Sequence, residues 1–286
     1  MPELPEVETI AGYLRQGTAG SPGLIGRKAI KVHLLWSRSL ERPSEGELQA
    51  RLPGQVLQSI TRRGKFLLLH FNLDTLLFHL RMSGDLVVDG NQANLLTDPQ
   101  SPITHPQSSH IRFILNFEDG INLVFVDPRK FGRIWLVRDP GEVVGGLGPE
   151  PLDPDLTTGK FCQLLNAHRR LIKPLLLDQT FLAGLGNIYT DESLNLARLH
   201  PCQPAHLISP AQAEVLLNAI RTILRQAINH RGASIDWVYR GGNFQNHFRA
   251  YQRTGKPCLN CGSLIERIVV GQRGTHYCPN CQVIVS

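Results

Sequence analysis

With 286 residues and 42% hydrophobic side chains, the chain is long enough for about two domains with real cores. It contains no apolar run near the roughly 20 residues of a membrane span and no signal-peptide pattern, which excludes an ordinary membrane or secreted class and points to a soluble, cytoplasmic protein. The formal charge of +6 is unevenly placed: residues 221–286 hold nine Lys/Arg against Asp236 and Glu266, a net +7, so the first 220 residues carry −1. A basic tail of this kind suits a phosphate-rich partner, and keeping the protein soluble is its plainer use.

The chain opens on PELPEVET at 2–9, and Val7, Ile10, Ala11 and Leu14 then recur at helical spacing until Gly17. Pro5 fits the first turn of this helix, where a missing N–H is harmless, and Glu6 and Glu8 lie where the helix dipole favours acids. The small Pro2 favours removal of Met1, which would expose a secondary amine beside Glu3. Taken alone, the stretch reads more simply as a capped first helix.

Short β-branched and aromatic runs follow at 29–35, 56–61, 66–71, 76–80, 86–88, 111–117, 121–126 and 134–137. Turn signals such as Arg63-Gly64 and Glu118-Asp-Gly120 separate them, as in a β-sandwich or barrel. The polar segment 89–109, with three prolines and no periodicity, reads as a long surface loop. A Gly/Pro-rich stretch at 145–151 marks a linker, after which helices are expected at 156–167, 187–196 and 211–228. The last carries the stripe Val215, Leu216, Ala219, Ile220, Ile223, Leu224 and Ala227, with Ser209-Pro210 to start it and Arg231-Gly232 to stop it.

Three stretches could carry chemistry. Cys258-x-x-Cys261 and Cys278-x-x-Cys281, sixteen residues apart, form a four-thiolate pattern for one structural Zn²⁺ with no open coordination position. Between them, 267–277 reads as a β-hairpin whose Gly271-Gln-Arg-Gly274 turn presents Arg273, either to a phosphate or simply to solvent. Cys162 and Cys202 stand apart as structural thiols. In DQTFLAGLGNIYTD at 178–191, Gly184 and Gly186 permit a close backbone approach and Asn187 is the expected cap of the next helix, whose N-terminus could hold a phosphate. In DPRKFG at 127–132, Arg129 and Phe131 lie on a turn between strands; such a Phe wedges between bases or closes a core.

Together these pieces resemble the bacterial formamidopyrimidine-DNA glycosylase (MutM) family of base-excision repair enzymes. The residues that carry the resemblance are PELPEVET at 2–9, RRGK at 62–65, HLRMSG at 79–84, DPRKFG at 127–132, LGPEPL at 147–152, IKPLLLDQ at 172–179, AGLGNIYTDE at 183–192 and QRGTHYCPNC at 272–281. The resemblance implies an α+β multidomain fold: a leading α-helix and N-terminal β-sandwich over 1–140, a linker at 141–155, a helix–two-turn–helix DNA-binding domain over 156–247, and a zinc-finger β-hairpin over 248–286. It implies a bifunctional glycosylase and abasic-site lyase, monomeric, that removes 8-oxoguanine and formamidopyrimidines from double-stranded DNA.

By the same resemblance Pro2 is the nucleophile that forms an imine with the sugar, Glu3 the proton donor and Glu6 a further active-site acid. Lys65 contacts phosphate and assists β-elimination; Arg273 clasps phosphate and assists δ-elimination. Met82, Arg129 and Phe131 fill the gap left by the flipped nucleotide, Asn187 and Lys173 make phosphate- and lesion-side contacts, and Arg169 or Arg170 adds a backbone contact. Ser108-Ser-His110 stands where the family commonly has His-x-His, so His110 matches the second histidine and His105 could replace the first only if its loop folds back. The related endonuclease VIII type, directed at oxidised pyrimidines, is the nearest alternative. A non-catalytic damage binder and a zinc-ribbon RNA-binding protein are more distant ones.

Overall fold

The computed structural model describes residues 1–18, 21–89, 108–234 and 241–284. Most of the polar segment 89–109, including His105, therefore lies outside the described residues. The chain divides into two compact units, the first including Met1–Pro2 and Val7–Gly145, the second Glu3–Glu6, Gly146–Ile235 and Gly241–Ser286.

The expected first helix is α1, Leu4–Gln16. A small antiparallel pair follows it, β1 (Gly17–Thr18) with β2 (Ser21–Pro22). The rest of the first unit is built on two sheets. One has four strands in the order β3 (Ala29–Leu34), β9 (Ile111–Phe117), β10 (Asn122–Val126) and β8 (Asp85–Asp89). The other has five, in the order β4 (Leu40–Arg42), β11 (Arg133–Val137), β7 (Thr75–His79), β6 (Phe66–Phe71) and β5 (Leu57–Arg63). All neighbours are antiparallel except β4 and β11. Alternate residues enter one shared core: Leu67, Leu69 and Phe71, Leu76 and Phe78, Phe113, Leu115 and Phe117, and Leu123 and Phe125, joined by Val7, Ile10, Ala11 and Leu14 of α1. This period of two on both sheets is what a sandwich requires.

Two elements escape the apolar-run reading because they are short and polar. These are β4 and the helix α2 (Glu45–Arg51). The signal for α2 lies in Ser44-x-x-Glu47, a capping box in which each side chain meets the other residue's backbone N–H.

The second unit is helical up to the cysteines. It follows the short α3 (Gly141–Val144), which falls inside the expected linker. Its helices are α4 (Thr158–Asn166), α5 (Ile172–Leu177), α6 (Asn187–Leu196) and α7 (Pro210–Asn229). Helix α5 has too few turns to show periodicity, and its Pro174 sits in the first turn, where no N–H is needed. Helix α7 starts in a Ser209–Gln212 capping box with Pro210 as its first residue. Its buried stripe differs from expectation at two places: Val215 is half exposed, and Ala213 and Leu217 point inward instead. The chain closes on the hairpin β12 (Glu266–Val270) and β13 (Arg273–Tyr277). No helix among the described residues is long and apolar enough to cross a membrane.

Candidate active site and metal centre

Two acids of the N-terminal motif, Glu3 and Glu6, are buried in the second unit. The Glu3 carboxylate accepts the backbone N–H groups of Gly186 (2.7 Å), Ile188 (3.0 Å) and Tyr189 (3.4 Å). Those are orphan donors at the start of α6, so Glu3 caps that helix from the other end of the chain. Asn187 is consequently not the cap; Gly186 holds that position and Asn187 is the first helical residue. Gly186 is required here, since a Cβ on it would come within 2.3 Å of the Glu3 carboxyl carbon. The glycine turn does receive an anion, as its sequence suggests, but the anion is Glu3 rather than a phosphate.

Glu6 is equally buried, and its carboxylate accepts Glu3 N–H (2.8 Å), Ala233 N–H (2.8 Å) and the Tyr189 hydroxyl. Burial, and then the neighbouring Glu3, push Glu6 from its ordinary value of 4.5 up to about 7, against the pull of those three donors. Raising the folded-state value above the unfolded one means that the folded chain binds the extra proton between those limits. Stability should therefore fall as pH rises from 4.5 to 7, by roughly 3 kcal/mol from this group. Glu6→Gln should flatten the denaturant midpoint against pH across that window. An unchanged slope would show that Glu6 is ionised throughout.

Around α6 the hairpin is tied down by a second buried network. Lys173 has no exposed side-chain surface; its Nζ donates to Asp191 Oδ1 (2.5 Å) and to the Gly274 carbonyl (3.1 Å). Asp191 Oδ2 also accepts His276 N–H (2.9 Å), and Asn187 Nδ2 donates to Gly274 O (3.1 Å). Burial pulls the Lys173 ammonium below its usual range, and Asp191 offsets part of this. Lys173 is thus a tie between α5, α6 and β13 in this structure, and its burial argues against the direct phosphate- or lesion-side contact expected of it. Arg273, the first residue of β13, is exposed beside the Gly271-Gln272 turn. Arg169 is exposed, whereas Arg170 is paired with Asp178 (2.6 Å). The structural residues Tyr189, Asp191 and His276 carried no sequence signal beyond their place in or beside the quoted motifs.

In the first unit Lys65 occupies the two-residue turn of the β5–β6 hairpin, between the paired Arg63 and Phe66. Gly64 supplies the positive φ (+57°) that such a turn needs at its first central position. Lys65 is only 4% exposed. Burial, and then the charges of Arg81 and Lys65, hold His79 down to about 3, so that imidazole stays neutral. Pro2 is buried immediately ahead of α1. His110 closes a short 3₁₀ turn before β9, its carbonyl accepting Asp127 N–H (2.8 Å).

The DPRKFG turn joins β10 to β11 and is rooted in Asp127. This buried carboxylate accepts Arg129 N–H (3.2 Å), Gly132 N–H (2.7 Å) and the Ser83 hydroxyl. Ser83 adjoins Met82, so one carboxylate ties the Met82 and Phe131 segments together. Met82 (40%) and Phe131 (47%) are both exposed, and the Arg129 guanidinium lies 5.0 Å from the Phe131 ring centre. Exposure decides against the reading in which Phe131 closes a core.

At the C-terminus the four thiols of Cys258, Cys261, Cys278 and Cys281 lie within 4.8 Å of one another. Tetrahedral Zn–S bonds of about 2.3 Å would separate sulfurs by about 3.8 Å. The pairs Cys258–Cys281 (4.0 Å) and Cys261–Cys278 (3.4 Å) bracket that figure, and the all-thiolate donor set suits Zn²⁺. Backbone N–H groups of Asn260 and Cys281 point at Cys258 and Cys278 sulfurs (both 3.4 Å). Cys162 and Cys202 are free thiols.

Comparison with known proteins matches the chain in three consecutive parts. Residues 1–134 match the family described as the formamidopyrimidine-DNA glycosylase N-terminal domain, 147–238 its H2TH domain, and 255–283 the zinc finger found in FPG and IleRS. The chain belongs to the formamidopyrimidine-DNA glycosylase family. One relative, the formamidopyrimidine-DNA glycosylase of Chloroflexus aurantiacus, is 42% identical over 99% of this chain and 98% of its own. That of Protochlamydia amoebophila is 39% identical over 99% of both. Among solved structures, MutM in complex with carbocyclic 8-oxo-G containing DNA superposes with a TM-score of 0.84 at 34% identity, over 99% of this chain and 100% of that one. Lactococcus lactis Fpg with abasic-site DNA gives 0.85 at 34%, over 98% and 99%. For a formamidopyrimidine-DNA glycosylase family member the four-cysteine cluster is the zinc-finger site, and it holds one structural zinc.

Proposed function

We propose that this protein is a bifunctional DNA glycosylase and abasic-site lyase that removes oxidised purines, 8-oxoguanine and formamidopyrimidines, from duplex DNA. The observation that carries this reading is the Pro2-Glu3 terminus, with the Glu3 carboxylate fixed by three backbone donors at the start of α6. Removal of Met1 makes Pro2 a secondary amine, and α-amino groups start near a pKa of about 8, low enough to leave a neutral fraction at pH 7. The Pro2 nitrogen attacks C1′ of the deoxyribose and the base leaves with the C1′–N electron pair; Glu3 takes the proton shed by the Pro2 nitrogen and passes it to O4′, which opens the sugar ring. The resulting iminium withdraws electrons from the sugar, so C2′–H and then C4′–H are lost and the 3′ and 5′ phosphates leave in turn. Lys65 assists the first elimination and Arg273 the second.

A damaged base within a duplex is out of reach and must be flipped, at a cost of a few kcal/mol. Met82 and Phe131 fill the space it leaves, and Arg129 probes the orphaned base. His110, Arg169 and Asn187 add backbone contacts, and bound zinc keeps the β12–β13 hairpin rigid. The sequence divides functionally into a catalytic sandwich, a linker, a helix–two-turn–helix domain and a zinc finger. The protein acts as a monomer in the cytoplasm, where DNA binding associates it with the nucleoid. The relatives compared bear the formamidopyrimidine name, which favours this reading over the endonuclease VIII type.

Borohydride trapping on duplexes carrying 8-oxoguanine opposite cytosine tests the proposal. A covalent adduct mapping to Pro2, in protein whose N-terminal mass shows Met1 removed, is expected. Absence of an adduct on any oxidised base, or full activity with Met1 retained, would overturn it.

A further inference from the structure

The apex of the 127–132 turn also has a partner outside its own motif, Trp36. The Lys130 ammonium lies 4.1 Å from the ring centre of Trp36, and the Arg38 guanidinium approaches the same indole at 5.7 Å. Trp36 precedes the short 3₁₀ turn Ser37–Ser39. Its backbone N–H and that of Leu35 donate to the Arg112 carbonyl (3.2 and 2.8 Å), while Arg112 Nε donates to the Asp127 carbonyl (2.8 Å). Trp36 is therefore joined to the root of the turn through Arg112 as well as at its side chain.

Three features make the indole face the working part of this contact. A buried Trp N–H ordinarily finds an acceptor, yet Trp36 Nε1 is buried and has none among the described residues. Lys130 itself adopts a left-handed backbone (φ +62°), an uncommon state for a residue with a Cβ, so something must hold it there. Its side chain goes to Trp36, whereas Arg129 and Phe131 stack on each other. The turn is thus held at its root by Asp127 and at its apex by Trp36.

We propose that Trp36 is a positioning residue for the probe turn: its indole face holds Lys130, fixes where Arg129 and Phe131 stand, and so governs discrimination of the base opposite the lesion. The functional half of this rests on the glycosylase reading above; the positional half does not. Two measurements separate them.

In the first, amide hydrogen exchange is followed in the DNA-free protein. Trp36→Leu should speed exchange at Arg129 and Gly132 about fivefold, the scale of one exposed cation–π contact. Trp36→Phe, which keeps an aromatic face, should stay near wild type, and Lys130→Met should match Trp36→Leu. In the second, single-turnover excision of 8-oxoguanine is compared opposite cytosine and opposite adenine. Both Trp36→Leu and Lys130→Met should reduce that preference about fivefold, and the double variant should be no worse than either single one. Unchanged exchange in both single variants overturns the proposal. So does an unchanged preference, or full additivity in the double variant. If Trp36→Leu does not fold, exposed Lys130 carries the same predictions. Wild-type protein that excises from neither duplex counts against the glycosylase reading instead, and the exchange result then decides the positional claim alone.

Discussion

Glu3→Gln should lower excision of 8-oxoguanine by about 10²- to 10⁴-fold, the usual range for removing a positioned general acid. The amide cannot donate the proton that ring opening needs. It is also a poorer cap, because one of the carboxylate oxygens that accept the α6 N–H groups becomes an NH₂ donor facing Gly186, Ile188 or Tyr189 N–H. Nicking of a preformed abasic site should drop much less, since that sugar opens spontaneously and only imine formation and elimination remain. Parallel single-turnover assays on the two substrates read this split. Equal loss on both would assign Glu3 a structural role alone, and loss of folding cooperativity on thermal melting would point the same way.

Stripping the zinc, or replacing Cys261 by Ser, should weaken binding to lesion duplex about 100-fold or more while leaving the sandwich folded. Structural zinc contributes on the order of 10–16 kcal/mol in isolated zinc-finger peptides, far more than a small hairpin can replace. Without it, Arg273 loses its rigid mount, and each charge-assisted phosphate contact is worth about 1.5–3 kcal/mol. The damage should stop short of the sandwich, whose core is a separate cluster drawn from α1 and both large sheets. Within the second unit, Glu192 still accepts the N–H groups of Arg249, Ala250 and Tyr251, which anchors the approach to the cysteines without any metal. Amide exchange of β6 and β7 beside a binding titration measures the two effects. Equal loss of both would mean that the zinc module supports the whole chain.

Legibility in the sequence followed the range of the physics involved. The zinc site was readable because its ligands are paired at short spacing and metal geometry admits few alternatives. The sandwich was readable because short β-branched and aromatic runs recur between turn signals; which alternate residues of those runs enter the core, such as Leu67, Leu69 and Phe71, came from the fold. Helix α7 was readable from its stripe, and the misplacement of Val215 shows the limit of periodicity: hydropathy alone does not fix which edge of a stripe faces inward. Helix α2 could have been found from its capping box. The partners of Glu3, Glu6 and Lys173 could not, because those contacts join residues far apart in the chain. Lys173 illustrates this most clearly. A lysine in a repair-enzyme motif suggests phosphate, and only the fold reveals Asp191 closing over it.

The Glu3 cap also orders events in time. Its carboxylate meets Gly186 across 183 residues, so the end of the chain that emerges first from the ribosome waits for most of the protein before its acid is set. Closing so long a loop adds little equilibrium cost beyond a shorter one, since loop entropy grows only logarithmically. It does defer the chemistry. A nascent or truncated chain that ends before α6 has the N-terminal motif without the backbone donors that fix Glu3, so excision that depends on Glu3 should be lost from such fragments. Competence to excise a base would thereby report that synthesis has run past the helix on which the acid rests.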